Sequence, residues 1–149
     1  MLVANIETIA PLSARAPKLH NALIELKWVK RFLEKQVGYK DAPQLSYPTL
    51  TSRVKAQTVP FDLQRLSQMN TEERKNYIAV VQDPFTSYYD AASVEKLISV
   101  IYKLGFKPMV VPYTPNGKPA HVKGFLDKFE KQAIKTANLL NQLHALDIT

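Results

Sequence analysis

Polar and aromatic side chains crowd the end of a short apolar run near the middle of the chain. The stretch VVQDPFTSYYDA, residues 80–91, leads from two valines into Asp83, Pro84 and Ser87. Such an apolar run is typical of a buried strand, and ligands in open α/β sheets bind outside the carboxyl ends of strands. An aspartate followed by proline is also typical of a turn that is capped by its own carboxylate. We expect Asp83, Pro84 and Ser87 to have a structural role in this turn.

A second polar stretch, YTPNGKPAHVKGF, follows the next apolar run at residues 113–125. It precedes a predicted helix, whose first N–H groups and dipole favour anions. The pattern indicates a site for a carboxylate or phosphate, with Asn116, Lys118, His121 and Lys123 as the candidate ligand-binding residues. The alternative is a tight turn in which Asn116 and Gly117 take positive φ and the basic side chains are solvated. Asp83 is then a counter-ion for Lys118 or Lys123, or the cap of its own turn, and we favour the cap.

No other pattern in the sequence indicates catalysis or metal binding. His20, His121 and His144 lie far apart without metal-ligand spacing, and the chain contains no cysteine. Disulfides, thiolate metal sites and thiolate Fe–S ligation within this chain are therefore excluded. The sequence has no glycine-rich phosphate loop, and Ser87 has no nucleophile-elbow context. We expect no catalytic residue, no metal site and no bound cofactor in this chain.

Composition and charge limit the class of protein further. A chain of 149 residues with 46% hydrophobic content can build one domain with its own core. The net charge of +7 comes from lysines and arginines that are spread among acidic residues, and no nucleic-acid-binding module occurs. A nucleic-acid or acidic-protein adaptor is therefore the last of our hypotheses. No apolar run reaches the ~18–20 residues of a membrane span, and the first residues do not form a secretory signal.

A β-α-β-α pattern over residues 77–149 positions both polar stretches. YIAVVQ predicts a strand with Val80 and Val81 buried, and DAASVEKLISVIYKLG predicts a helix from an Asp90 cap to Gly105. FKPMVVPY predicts a second strand, and one long helix from HVKGF onward completes the unit. We expect the strand, the crossover helix and the second, parallel strand to wind right-handed. If the strands are also adjacent, the two polar stretches face each other.

The predicted sheet is short. Pro108 in the second strand indicates either an edge position or a start at Met109. Two strands are fewer than a parallel sheet usually has, because such sheets are larger and covered on both faces. The predicted fold class is α/β: an incomplete, Rossmann-like β-α-β-α unit with a short parallel sheet. We expect it to pair with itself or with a partner, or to be a part of a longer protein.

Residues 1–76 precede this unit as a helical segment and a connector. LHNALIELKWVKRFLEKQVG predicts one helix, with Pro17 in its first turn, Gly38 as its stop and Trp28 packed against the core or a neighbouring domain.

The connector, residues 39–76, has no sustained period and is punctuated by prolines. We expect it to lie on the surface of something larger. It ends in a short helix near residues 62–69, and Asn70 or Thr71 caps the next turn. The predicted domains are residues 1–76, a helical segment with a connector, and residues 77–149, the β-α-β-α portion.

VVQDPFTSYYDA and PNGKPAHVKGFL together resemble one known family. They are similar to the Fe–S side of large bacterial fusion proteins that join an FAD-linked 2-hydroxyacid oxidase module to a ferredoxin-like and cysteine-rich electron-transfer module. The nearest type is the D-2-hydroxyglutarate dehydrogenase type. The resemblance is specific over residues 77–147 and weaker over residues 1–76, where it rests on NALIELKW, LSYPTL and PFDL.

The resemblance implies that the chain is a portion of a cysteine-rich-type redox domain in a protein several times longer. The flavin and ferredoxin-like domains would precede residue 1, and more of the cysteine-rich domain would follow residue 149. FAD and an Fe–S cluster are implied for this parent protein, together with a 2-hydroxyacid substrate, an electron acceptor and a cytoplasmic location. The partners of the chain itself would be the remaining domains, and alone it would be inactive. The alternative is a free-standing anion-binding α/β module that uses residues 116–124.

Overall fold

The computed structural model describes residues 5–37, 40 and 42–148. Most of this chain is helical, with one short sheet near its centre. The helices are α1 (Ile6–Ser13), α2 (Pro17–Glu25), α3 (Lys27–Phe32), α4 (Leu50–Val54), α5 (Leu63–Gln68), α6 (Thr71–Arg74), α7 (Pro84–Tyr89), α8 (Ala91–Lys103), α9 (Lys118–Val122) and α10 (Leu126–His144). A π-helical turn, Leu33–Val37, follows α3, and the strands are β1 (Tyr77–Val80) and β2 (Lys107–Val110).

The two strands form a parallel pair, which confirms the predicted β-α-β core. Tyr77 lies opposite Lys107, and Val80 lies opposite Val110. β1 ends at Val80, and Val81 is 53% exposed. The predicted burial of Val81 is therefore wrong, because the chain leaves the sheet at this residue and turns into α7.

Pro108 lies on the outer side of β2. The N–H of Lys107 donates to the Asn76 carbonyl at 2.7 Å, and the N–H of Val111 donates to the Val80 carbonyl at 3.0 Å. Because the backbone groups of successive residues in a strand point to opposite sides, Pro108 faces away from β1. β2 begins before Pro108, and of the two predicted options the structure has the edge position. The missing proline N–H costs the ladder no hydrogen bond. The Pro108 carbonyl accepts from the Val59 N–H at 3.0 Å.

Apolar clusters cover both faces of the sheet. One contains Leu66, Tyr77, Met109, Val111, Leu143 and Ile148, and the other contains Leu50, Val54, Val80, Ala91 and Ile98. Each cluster therefore combines residues from the connector with residues from the β-α-β-α portion. The connector is not irregular throughout, since α4 packs against α8 in the core. Its place on the surface of something larger remains a prediction. The division into domains at residue 76 remains a prediction.

The first long helix is broken where the sequence predicts continuity. Leu26 has an extended conformation, with φ −65° and ψ 128°, and this separates α2 from α3. Pro17 occupies the first turn of α2 as predicted, whereas Gly38 lies outside the described residues. Trp28 is 68% exposed, so it does not pack in the core, and its packing against a neighbouring domain remains a prediction.

The last helix is also divided. The predicted helix from HVKGF onward is two helices, α9 and α10, because Gly124 adopts φ +78° and ends α9. The N–H of Gly124 donates to the carbonyl of His121 at 2.9 Å, which closes the last turn. The predicted limits of α8 are confirmed: Asp90 accepts from the Ser93 N–H, and Gly105 follows the helix with φ +89°.

Val80 and Val81 offer a matched test of where β1 ends. We expect Val80→Asp to destabilise the 149-residue chain by roughly 3 kcal/mol or more, because it buries an unpaired charge. Val81→Asp places the same charge on an exposed side chain and is expected to cost less than about 1 kcal/mol. Urea unfolding monitored by circular dichroism measures both values. Equal losses in the two variants would contradict the observed strand end.

Gly117 offers a second matched test. It adopts φ +83°, and a Cβ at this position would lie 2.9 Å from the Phe129 carbonyl oxygen of α10. Gly117→Ala is expected to cost roughly 2–4 kcal/mol, from strain and overpacking together. The control is Gly105→Ala, whose Cβ would meet nothing within 4 Å, so only the strain of about 1–2 kcal/mol applies. Thermal melts that show equal losses would refute the close approach of the loop to α10.

Candidate functional site

The two polar stretches meet at the carboxyl ends of the strands, as expected for adjacent parallel strands. Tyr88 and Tyr113, one from each stretch, are in edge-to-face contact with ring centroids 5.3 Å apart. A cleft of about 320 Å³ lies between residues of the same two stretches and α1. Its walls combine apolar and charged side chains from α1, α7 and α9; the lining residues are Glu7, Asp83, Pro84, Phe85, Asn116, Lys118, Pro119 and Val122.

Asp83 caps α7. One carboxylate oxygen accepts from the N–H groups of Phe85 and Thr86, at 2.8 and 3.3 Å, and the other accepts from the Thr86 hydroxyl. Pro84 occupies the first position of the helix, where a missing N–H costs nothing. The stretch that the sequence presents as a polar turn is therefore a short capped helix, and both oxygens of Asp83 are engaged within it.

An internal carboxylate occupies the backbone donors of the second stretch. Glu7 of α1 is 3% exposed, and its carboxylate accepts from the N–H of Asn116 at 2.9 Å and from the N–H of Gly117 at 3.1 Å. The side chain of Asn116 accepts from the N–H of Lys118 at 2.9 Å, which tightens the turn before α9. The backbone donors of this loop therefore bind a carboxylate from α1, and a site for an external anion remains a prediction.

The three predicted cationic residues lie along α9 or directly after it, and their surroundings differ. Lys118 lines the cleft, at the start of the helix. The His121 ring packs against the Phe129 ring with centroids 4.6 Å apart. Lys123 is exposed at the end of the helix. Only Asn116 and Lys118 of the four predicted ligand-binding residues reach the cleft.

Sequence reasoning missed Glu7. The signal available was one acidic residue between apolar residues at the start of α1, in IETIAPLS, where Ile6 and Ala10 are buried. A carboxylate in such a position needs hydrogen-bond donors, because an unpaired buried charge is costly. The sequence does not indicate that its donors lie about 110 residues away in the chain.

Two hydroxyl groups near the cleft are buried without a partner among the described residues. They are the Ser87 Oγ and the Tyr113 hydroxyl. Burial raises the pKa of Tyr113 far above its ordinary value, and the negative charge of Glu7 acts in the same direction. Burial also raises the pKa of Tyr88. Both phenols therefore stay neutral at physiological pH and act as packing groups with a polar tip.

Within the described ranges, no group of three or more His, Asp or Glu side chains could hold a metal ion. No helix in the same ranges is long and apolar enough to cross a membrane.

The raised pKa of the Tyr113 phenol leads us to expect that the folded chain loses stability in alkaline solution. Its folded-state pKa lies above the unfolded value of about 10, so above that pH the unfolded chain releases a proton that the folded chain keeps. The stability contributed by the neutral phenol is complete below pH ~10 and falls as the pH rises further. We expect Tyr113→Phe to remove this part of the alkaline loss while changing stability at pH ~7 by less than about 1 kcal/mol.

Melting temperatures between pH ~8 and ~11 measure the effect. The control is Tyr102→Phe, at an exposed position, which should leave the alkaline loss unchanged. An identical pH profile for Tyr113→Phe and the unmodified chain would contradict the burial of this phenol.

Comparison with known proteins finds relatives that match nearly the whole chain. It is 45% identical over 146 residues to D-2-hydroxyglutarate dehydrogenase from Escherichia coli (strain K12). This match covers 97% of this chain and 14% of that protein. It is 41% identical to the same enzyme from Pantoea ananatis and 39% identical to that from Haemophilus influenzae, over 97% and 99% of this chain.

No protein-family profile and no solved structure matches the chain. The chain spans about 14% of the length of the relatives that it matches. The match runs through both polar stretches and also through the first 76 residues, where the sequence motifs are weaker. Over nearly its whole length, the chain is therefore similar to one segment of D-2-hydroxyglutarate dehydrogenases.

Proposed function

We propose that this chain is a structural, non-catalytic segment on the electron-transfer side of a flavin- and Fe–S-dependent dehydrogenase of the D-2-hydroxyglutarate type. The observation that carries the proposal is its identity of 38–45% with four such dehydrogenases, over 95–99% of this chain but 14% of theirs. The parent protein would act in the cytoplasm on a 2-hydroxyacid and pass electrons to an acceptor. The chain alone would have no activity.

The distribution of exposed apolar side chains supports a role inside a larger protein. Trp28 on α3, Leu104 at the end of α8 and Val122 on α9 are each more than two-thirds exposed. These residues belong to three separate elements of the chain. Surfaces between domains of one protein resemble protein–protein interfaces, where apolar side chains of this kind become covered. The remaining domains of the parent are therefore the partners that we propose for this chain.

The residues of this chain do not fit either redox group of the proposed parent. Fe–S clusters are held by cysteine thiolates, and the sequence contains none. Flavin dinucleotides are held by glycine-rich turns at the start of a helix, and the four glycines of the chain form no such motif. We assign FAD and the Fe–S cluster to other segments of the parent, together with the substrate and the electron acceptor.

The second hypothesis is a free-standing anion-binding module that uses residues 116–124. Lys118 at the cleft supports it, because a cation beside a helix N-terminus favours an anion. The Glu7 carboxylate weighs against it, since this group already accepts from the N–H groups of Asn116 and Gly117. An external anion in the cleft would be left with the side chains of Asn116 and Lys118. We therefore rank this hypothesis second.

The first experiment is purification of the native protein from its source with an antibody to this chain. We expect an intact mass far above 16.9 kDa, flavin and Fe–S absorption bands, and reduction of an artificial electron acceptor that depends on D-2-hydroxyglutarate. L-2-hydroxyglutarate is the matched control substrate. The 149-residue chain expressed alone is expected to be colourless and inactive.

A colourless native polypeptide of 16.9 kDa would refute the proposal. Inorganic phosphate would then be titrated into that polypeptide by calorimetry. Sub-millimolar binding that is lost in the Lys118→Ala, Lys123→Ala double variant would favour the anion-binding module, and no binding would eliminate it.

A further inference from the structure

The outer edge of β1 carries backbone groups with no hydrogen-bond partner in the part of the chain that the structure describes. The carbonyls of Asn76 and Val80 accept hydrogen bonds from β2 and its flank. Backbone groups point to alternate sides along a strand, so those of Tyr77 and Ala79 face away from β2. Among the described residues, no hydrogen bond reaches the N–H or the carbonyl group of Tyr77 or Ala79 on this outer side. Neither residue is a proline, so both N–H groups can donate.

The outer edge of β2 is different, because it is partly closed. Pro108 faces outward there and has no N–H, and its carbonyl already accepts from Val59. The connector around Val59 and Phe61 lies beside Val110 on this edge. A strand that approached β2 from outside would find no N–H donor at Pro108, and the Pro108 carbonyl would already be bonded to Val59. The sheet can therefore grow only beyond β1.

The environment of β1 defines the kind of strand that would fit. Tyr77 and Ala79 contribute to the apolar cluster on one face of the sheet, and Val80 contributes to the cluster on the other face. A neighbouring strand would extend both clusters, so its side chains must be apolar on both faces. Parallel sheets of two strands are smaller than such sheets usually are, and an unpaired edge is a template for a further strand.

We propose that an extended, doubly apolar segment from outside these 149 residues pairs with the outer edge of β1 and completes the sheet. This inference rests on the proposed function, since the segment belongs to the rest of the parent polypeptide. The relatives are long enough to supply such a strand, because the 149-residue chain corresponds to only 14% of their length. A second copy of the chain is a poorer occupant, because each copy has a net charge of +7 and two copies would repel each other.

Hydrogen–deuterium exchange at single-residue resolution on the native, source-purified protein tests the inference. Ile78 and Val80 face β2, and their amides serve as the protected reference. Val110 faces outward on β2 and serves as the unprotected control. We expect the Ala79 amide to exchange within about tenfold of the reference and about 100-fold or more slower than Val110.

In a native protein far above 16.9 kDa, exchange at Ala79 as fast as at Val110 would overturn the inference and leave the proposed function standing. A native mass of 16.9 kDa would overturn both. In that case, slow exchange at Ala79 in a dimer would assign the edge to a second copy. A slow Ala79 amide in the long protein, with a fast Val110 amide, supports the proposed third strand.

Discussion

The arrangement of the strand-end loops depends on one buried carboxylate. Glu7 leaves water almost completely, and the N–H groups of Asn116 and Gly117 compensate its charge. This contact joins α1, near the start of the described chain, to the loop that follows β2. It also explains why Gly117 takes a left-handed conformation, because the turn must present two successive N–H groups to one carboxylate while it passes within van der Waals distance of Phe129. A site that could bind an external anion is used to hold the molecule together.

The second constraint is the small sheet. Two parallel strands give few hydrogen bonds, so the stability of the unit depends on the apolar clusters on its two faces. Both clusters need residues from the connector, notably Val54 and Leu66, as well as the strands themselves. A sheet with one closed edge and one open edge is consistent with a segment that contributes part of a larger domain. The exposed apolar residues on α3, α8 and α9 agree with this interpretation, because they leave surface for other domains to cover.

Local patterns predicted what local chemistry controls. Asp90 and Asn70 cap helices as their positions suggested, and Gly105 ends α8 with positive φ. The parallel β-α-β order followed from apolar runs separated by an amphipathic stretch. The errors occurred where a local pattern was compatible with two outcomes. Val81 belongs to an apolar run but lies beyond the last ladder bond, and the apolar repeat around Leu26 does not reveal that its backbone is extended.

The sequence by itself determined the two strands, the helix between them, the caps at Asn70 and Asp90, the absence of cysteine ligands and the resemblance to one family, because these depend on residue identity and near neighbours. The tertiary structure alone decided which groups meet over long distances. The pairing of Glu7 with the loop at Gly117, the hydrogen bond from Val59 to Pro108 and the open edge at Ala79 all join or separate residues that are distant in the chain. Such contacts depend on how the whole chain packs around the sheet, and no local pattern of side chains encodes them.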